Sequence, residues 1–270
     1  MSRRYLLLPI LLFQLTLHAQ ATEISLVSWN IQDFGKTKNS EELNRMAELV
    51  RDADILAIQE VVAGYGGAMA VAKLSDILNR KGSKWDYVIS DPTNSPKYAT
   101  ERYAFIWKTH RIKIKKVGNL ITELDGPIDR EPMAQDFYVE GKKFTVINYH
   151  SRPYNKDPES EIKALSHYIL KLASTPLVLA GDFNVDEKMP VFDTLKHGGF
   201  KPAITNQPTT LKRSCVANGY LNYPIDNIFY SPEIKKVDSK AIDYVEICEK
   251  LENARKLSDH LPVALTFALE

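Results

Sequence analysis

Nine residues of this 270-residue chain share one placement: Asn30, Glu60, Glu101, His150, Asp182, Asn184, Asp226, Asp259 and His260 each fall at the end of a run of strand-forming residues. They lie in short polar clusters, SWN at 28–30, QE at 59–60, ERY at 101–103, NYH at 148–150, GDFN at 181–184, PIDN at 224–227 and SDH at 258–260. Carboxylates, amides and two histidines with no cysteine ligand suit a hard divalent cation such as Mg²⁺. Two carboxylate–histidine pairs beside such a cation suit phosphate ester cleavage, because one group can take a proton while another delivers one.

Strands must bring these ends together. Glu23 to Trp29 alternates as a partly buried strand. Asp54 to Gln59 and Leu177 to Ala180 are short apolar runs that read as buried strands. Trp85 to Ser90 and Arg102 to Lys108 are strands flanking a Pro/Asn/Ser loop. Arg111 to Val117 alternates isoleucine with basic residues, an edge strand protected by lysine. Met133 to Val139 and Lys143 to Tyr149 flank Glu140-Gly141 as a hairpin, and Ile225 to Tyr230 and Pro262 to Ala268 are the last clear strands.

Helices fill the intervals. Asn39 with Glu42 forms a capping-box pattern ahead of Leu43, Met46, Ala47 and Val50. Gly66-Gly67 form a turn before a second helix, with Ala70, Leu74, Ile77 and Leu78 on one face. Asp157-Pro158 opens a third, with Ile162, Leu165, Ile169 and Leu172 as its apolar face, and a short one spans Val191 to His197. Two mainly antiparallel sheets packed face to face with helices outside would hide every apolar face, an α+β class of architecture.

Arg3 and Arg4, the apolar run Tyr5 to Leu17, and Ala19-Gln20-Ala21 make residues 1–21 a secretory signal peptide, too short for a spanning helix. The expected mature domain is 22–270, secreted or periplasmic after cleavage near Ala21, with no stable membrane anchor. Losing Arg3 and Arg4 takes Lys+Arg from 35 to 33 against 34 Asp+Glu, so a polyanion must be held by a local patch and by cations. Cys215 and Cys248 each lie eleven residues before a site aspartate; they pair only if their loops are neighbours, which spacing leaves open.

The clusters divide by role. Gly181 before Asp182 lets a carboxylate enter a cleft uncrowded, where Asp182 could orient a metal-bound water and Asn184 a phosphoryl oxygen. Asp259 and His260 stand together at one strand entrance, where one can bind metal while the other moves a proton, and Asp226 could orient the His260 ring, fixing its tautomer and raising its basicity. Glu101 and His150 could form a second pair that protonates a leaving oxygen. Glu60 ends a buried run and needs a cation partner, whereas Asn30 is either a further metal or phosphate contact or a turn residue. His110, His167 and His197 carry no role, and Tyr103, Phe105 and Trp107 read as core.

Taken in order, SWN, IQE, ERY, DREP at 129–132, NYHS, GDFN, IDNIF and SDHLPV resemble the endonuclease/exonuclease/phosphatase superfamily, within it the secreted deoxyribonuclease I-like branch. The resemblance spans essentially the whole mature chain. It implies a four-layer α/β/β/α sandwich and divalent-metal-dependent phosphodiester hydrolysis, with Mg²⁺ as cofactor, Mn²⁺ as a substitute and an accessory Ca²⁺. Carried over, Glu60 is the principal metal ligand with Asn30 and Asp259 nearby, and Asp182 and Asn184 position the water and transition state. His260 with Asp226 and His150 with Glu101 are the acid–base pairs, the acid and the base unassigned, and Arg130 is a phosphate contact. Two positions depart: Val62 stands where the branch carries a minor-groove arginine, and Ala99 where it carries a tyrosine, with Tyr98 one step away.

The expected function is a monomeric, largely nonspecific nuclease on DNA, with RNA as a second polymer, 5′-phosphate ends as product and no protein partner. A sphingomyelinase-type enzyme would need an exposed apolar hairpin, yet the loop Asn206 to Pro224 holds Lys212 and Arg213 beside Tyr220 and Tyr223. A catalytically silent binding protein would lack a ligand or a histidine, and none is missing. The signal peptide argues against repair of genomic DNA.

Overall fold

The computed structural model describes residues 22–172, 175–217 and 219–269, so the expected signal peptide lies outside the described residues. In chain order the elements are β1 (Glu23–Phe34), α1 (Ser40–Val50), β2 (Ile55–Val62), α2 (Tyr65–Asn79), β3 (Trp85–Ile89), β4 (Glu101–Lys108), β5 (Asn119–Leu120), β6 (Met133–Val139), β7 (Lys142–His150) and α3 (Pro158–Ile169). They continue with β8 (Leu177–Asp182), α4 (Asp193–His197), β9 (Lys201–Pro202), β10 (Leu211–Val216), β11 (Gly219–Leu221), β12 (Asp226–Tyr230), β13 (Ile234–Ala241), α5 (Leu251–Arg255) and β14 (Val263–Leu269).

Two six-stranded sheets form, in the orders β13-β14-β1-β2-β4-β3 and β5-β6-β7-β8-β12-β9. The two centres repeat one design. In each, a parallel pair (β1 with β2, β7 with β8) is joined by a helix-bearing crossover, α1 or α3, as parallel strands require. An antiparallel neighbour whose first residue is a carboxylate follows, Glu101 on β4 and Asp226 on β12.

Alternation along the strands builds three apolar layers. Leu26, Phe105, Phe137, Val146, Ile228 and Phe267 pack between the sheets. Trp29, Ile58, Leu43, Met46 and Leu74 seal the first sheet against α1 and α2. Ile147, Leu179, Phe229, Ile162 and Leu165 seal the second against α3. The architecture is therefore the expected α+β, four-layer α/β/β/α sandwich.

Local chemistry sets the element ends. Asn39 accepts from the Glu42 amide at 2.9 Å while Glu42 accepts from the Asn39 amide at 2.8 Å, a complete capping box worth about 1 kcal/mol. Asp157 caps α3 from a left-handed backbone, with Pro158 at its first position. A Cβ on Gly181 would lie 1.8 Å from the Tyr149 carbonyl oxygen, so only glycine lets β8 lie against β7 just before Asp182.

Three expectations change, and an unexpected strand appears. Arg111 to Val117 is a loop rather than an edge strand: only Lys113 bridges to Tyr138, because the Gln135 side chain takes over the ladder by accepting from Gly118 N and donating to Lys116 O. Gly66 and Gly67 lie inside the first turn of α2 rather than before it. Cβ atoms there would come within 2.4 Å of Gly35 O and 2.1 Å of Val62 O, so the glycines serve a close backbone crossing. Helix α3 stops at Ile169, leaving Leu172 41% exposed instead of on the apolar face. Strand β13, unforeseen because Lys235, Lys236, Asp238 and Lys240 break its pattern, is an edge strand held by β14.

Cys215 of β10 and Cys248 ahead of α5 are joined, with their Cα atoms 5.9 Å apart. The β10–β11 hairpin is thereby stapled to the segment that leads to Asp259 and His260. Closing a loop with a separation of 33 residues should stabilise the fold by about 3–4 kcal/mol. The Cys215→Ser/Cys248→Ser variant is expected to melt roughly 6–15 °C lower in calorimetry. An unchanged melting temperature would mean the staple carries no stability.

Candidate active site

The polar ends of β1, β2, β4, β7, β8 and β12 meet at one edge of the sandwich. Glu60 sits where β2 breaks register between Ile58 and Val61, and its φ of 59° is a left-handed conformation that costs a non-glycine residue about 1 kcal/mol or more. Its carboxylate accepts from Asn30 Nδ2 at 3.0 Å and from Asp33 N at 3.1 Å. Asn30 Nδ2 also donates across to Asp182 Oδ2 at 3.1 Å. Asn30 is thus engaged on both sides rather than being a free turn residue.

Two carboxylate–histidine pairs flank Asp182. Buried His150 places Nδ1 3.0 Å from both carboxylate oxygens of buried Glu101 and turns Nε2 to Asp182 Oδ2 at 3.5 Å. His260 places Nδ1 2.9 Å from Asp226 Oδ2 and Nε2 3.8 Å from the same Asp182 oxygen. Each carboxylate fixes its ring, so the two Nε2 atoms converge on one oxygen of Asp182. Asn184, with φ 51°, donates its amide N–H to Asp182 Oδ1 at 2.9 Å and its side-chain nitrogen to Ser151 O at 3.4 Å.

Arg130 is buried behind His150. It donates to the Ser151 carbonyl and lies 3.5 Å from Glu101 Oε2, while its Nε has no hydrogen-bond partner among the described residues. Asp259 is half-buried, 3.7 Å from Arg255, and Ser258 beside it donates to the Asn30 carbonyl at 2.7 Å.

Several supporting residues carry no sequence signal of their own. Thr209 donates to Asp226 Oδ2 at 2.6 Å, giving that carboxylate a second partner. The Tyr103 hydroxyl, expected only as core, donates to Arg130 O and accepts from His150 N, each at 3.2 Å. Buried Glu161 of α3 accepts from Asp129 N at 2.6 Å and Arg152 N at 2.7 Å, clamping the loops that present Arg130 and follow His150. Gln59 donates to Asn148 Oδ1 at 2.6 Å, a buried amide bridge between the sheets one step below the site. Polar residues in strands and at helix starts are common; only their partners, far away in sequence, distinguish these.

The donor set fits a hard cation. Buried Asn30 Oδ1 has no hydrogen-bond partner among the described residues, and a cation held with the Glu60 carboxylate would satisfy it. Asp182, Asp226 and His260 also offer ligand atoms within 4.8 Å of one another, but the Asp226–His260 hydrogen bond accounts for much of that closeness.

Charge is balanced by pairs. Burial would push the Glu101 carboxyl up, but His150 and Arg130 outweigh it and hold its pKa below the ordinary value. Burial and Arg130 would strip the proton from His150, yet Glu101 and Asp182 raise its pKa. Burial likewise opposes a charged His260, but Asp226 and Asp182 push its pKa up to about 10.

The profile of the Endonuclease/Exonuclease/phosphatase family matches residues 27–260. The chain is 28% identical to a protein named Deoxyribonuclease from Thioalkalivibrio sp. (strain K90mix), covering 96% of this chain and 74% of that one. It is 26% identical to Deoxyribonuclease-1 of Rattus norvegicus over 96% and 97% of the two chains. In fold it is similar to an endonuclease/exonuclease/phosphatase family protein from Bacteroides thetaiotaomicron, with a TM-score of 0.67 at 17% identity over 93% and 99% of the two chains. A mannosyl-6-phosphatase of Bacteroides thetaiotaomicron VPI-5482 gives 0.66 at 17% identity over 91% and 100%.

In protein stripped of cations, the His260 ring should stay protonated at pH 8, and Asp226→Asn should lower its pKa because burial then acts with one carboxylate fewer. Nitrogen-15 histidine NMR reads this directly. Titration near the ordinary value of 6.5 in the wild type would rule out the pair as described.

Proposed function

We propose, from the premise that this chain belongs to the endonuclease/exonuclease/phosphatase family and to its deoxyribonuclease I-like branch, that it is a secreted, divalent-metal-dependent nuclease hydrolysing DNA to 5′-phosphate ends. The observation that carries this reading is the convergence of two oriented histidines on Asp182. Attack and departure at a phosphodiester occur on opposite sides of phosphorus, and two histidines flanking one carboxylate suit proton transfer on both sides. The Cys215–Cys248 bond suits an oxidising compartment, in line with residues 1–21 as a leader. Among the described residues no helix is long and apolar enough to cross a membrane.

Glu60 and Asn30, with Asp259 on the adjoining wall, would hold Mg²⁺, with Mn²⁺ as a substitute. When bound, such a cation neutralises charge that develops on the phosphoryl oxygens. The remaining steps belong to the chain. Asp182, fixed by Asn30 and Asn184, orients and helps deprotonate the attacking water. Asn184 hydrogen-bonds a phosphoryl oxygen. His260, tied by Asp226, and His150, tied by Glu101, present Nε2 atoms that accept and deliver protons, and Arg130 adds positive charge toward the phosphate from behind His150.

His260→Ala and His150→Ala should each lower turnover at least ~10²-fold while circular dichroism stays native. Near-normal turnover in either variant would remove that histidine from the chemistry. EDTA should abolish plasmid nicking, and Mg²⁺ should restore it. Turnover of sphingomyelin without cleavage of DNA would replace the nuclease reading with a lipid phosphodiesterase.

A further inference from the structure

Four of the most exposed large apolar side chains are tyrosines that lie near site residues in sequence: Tyr65, Tyr98, Tyr154 and Tyr223 are 82, 92, 79 and 62% exposed. Each stands within five residues of a residue at the polar edge. Tyr65 follows Glu60, Tyr98 precedes Glu101, Tyr154 follows His150 and Tyr223 precedes Asp226. None of the four rings packs on another aromatic ring, and none of their hydroxyls has a hydrogen-bond partner, among the described residues.

The loops that carry them are braced. Arg102 donates Nε to Ala63 O at 2.9 Å and Nη1 to Ser90 O at 2.7 Å, tying the start of the Tyr65 turn to the start of the Tyr98 loop. Within that loop Ala99 N donates to Pro96 O, and Thr100 donates to Ser95 O. Tyr154 opens a 3-10 turn whose end is Asp157, the cap of α3. Tyr223 is held on both sides of its peptide: its N–H donates to Thr210 Oγ1 and its carbonyl accepts from Thr209 N, each at 2.8 Å. Exposed rings on held backbones lose little freedom when a flat partner settles on them.

Resting on the nuclease reading above, we propose that these tyrosines form a stacking rim for unpaired bases, and that single-stranded nucleic acid is the preferred substrate. On this reading, a phosphodiester held at the polar edge would carry its flanking nucleotides over the loops that bear these rings. An unpaired base offers a π face to a ring, whereas duplex bases are stacked on one another and show only their edges. Lys97 beside Tyr98 and Lys156 beside Tyr154 add exposed positive charge for the backbone.

The test measures kcat and KM on a single-stranded DNA oligonucleotide, its blunt duplex, the matching RNA strand and bis(p-nitrophenyl) phosphate. Wild-type kcat/KM should favour the single strand over the duplex at least ~10-fold. Tyr98→Ala and Tyr154→Ala should each raise KM on the single strand about 5- to 30-fold with kcat nearly kept, in the range of one lost base stack. Tyr98→Trp should rescue, and Tyr87→Ala, an exposed ring within β3, should change nothing. Equal kcat/KM on duplex and single strand, or unchanged KM in both alanine variants, overturns the rim. Hydrolysis of bis(p-nitrophenyl) phosphate without cleavage of any nucleic acid overturns the nuclease reading itself, and the rim with it. The RNA arm tells which sugar the site accepts.

Discussion

Three contacts at the candidate site cross the gap between the two sheets. Glu101 belongs to the first sheet and His150 to the second; Asp226 belongs to the second, and His260 enters the first; Asn30 reaches from the first to Asp182 in the second. Neither sheet alone contains both Glu101 and His150, or both Asp226 and His260. The geometry of the candidate site therefore depends on the relative register of two sheets about 10 Å apart, and an error of 1 Å in that register would part both histidines from their carboxylates.

The inter-sheet core supplies adhesion but little register, because apolar packing is non-directional. Direction comes from the buried amides. Gln59 bridges to Asn148, and Asn148 Nδ2 reaches the Ile58 and Ala104 carbonyls at 3.1 and 3.3 Å, so one side chain measures its position against two strands of the opposite sheet. Leaving these groups unpaired would cost about 1–3 kcal/mol each, which penalises any slipped arrangement. Glu161 plays the same part for the loops. It lies outside the catalytic edge, but the backbones that carry Arg130 and Ser151 depend on it.

Much of this was legible in the chain. Alternating and continuous apolar runs mark where strands end, and a carboxylate or histidine at a strand end stands out against its neighbours. Glu60, Glu101, His150, Asp182, Asp226 and His260 were visible for that reason. What stayed hidden depends on partners. Thr209 gains a role only through Asp226, and Gln59 and Asn148 only through each other. Strand β13 was masked because an edge strand needs only one covered face, and Gln135 displaced an expected strand by imitating a ladder with its side chain. Periodicity reports burial, whereas pairing across ninety residues leaves no local trace.

Strand β14 has a further consequence through its place in the order. The last strand of the chain inserts between β13 and β1, beside the first. His260 stands at its entrance, and the Cys248 staple closes just upstream. A chain emerging during synthesis thus holds Glu101, His150 and Asp182 long before it can place His260 beside Asp226. On the proposed function, the second carboxylate–histidine pair would assemble only once β14 docks between β13 and β1, so the site would come together only when the order of the first sheet is in place.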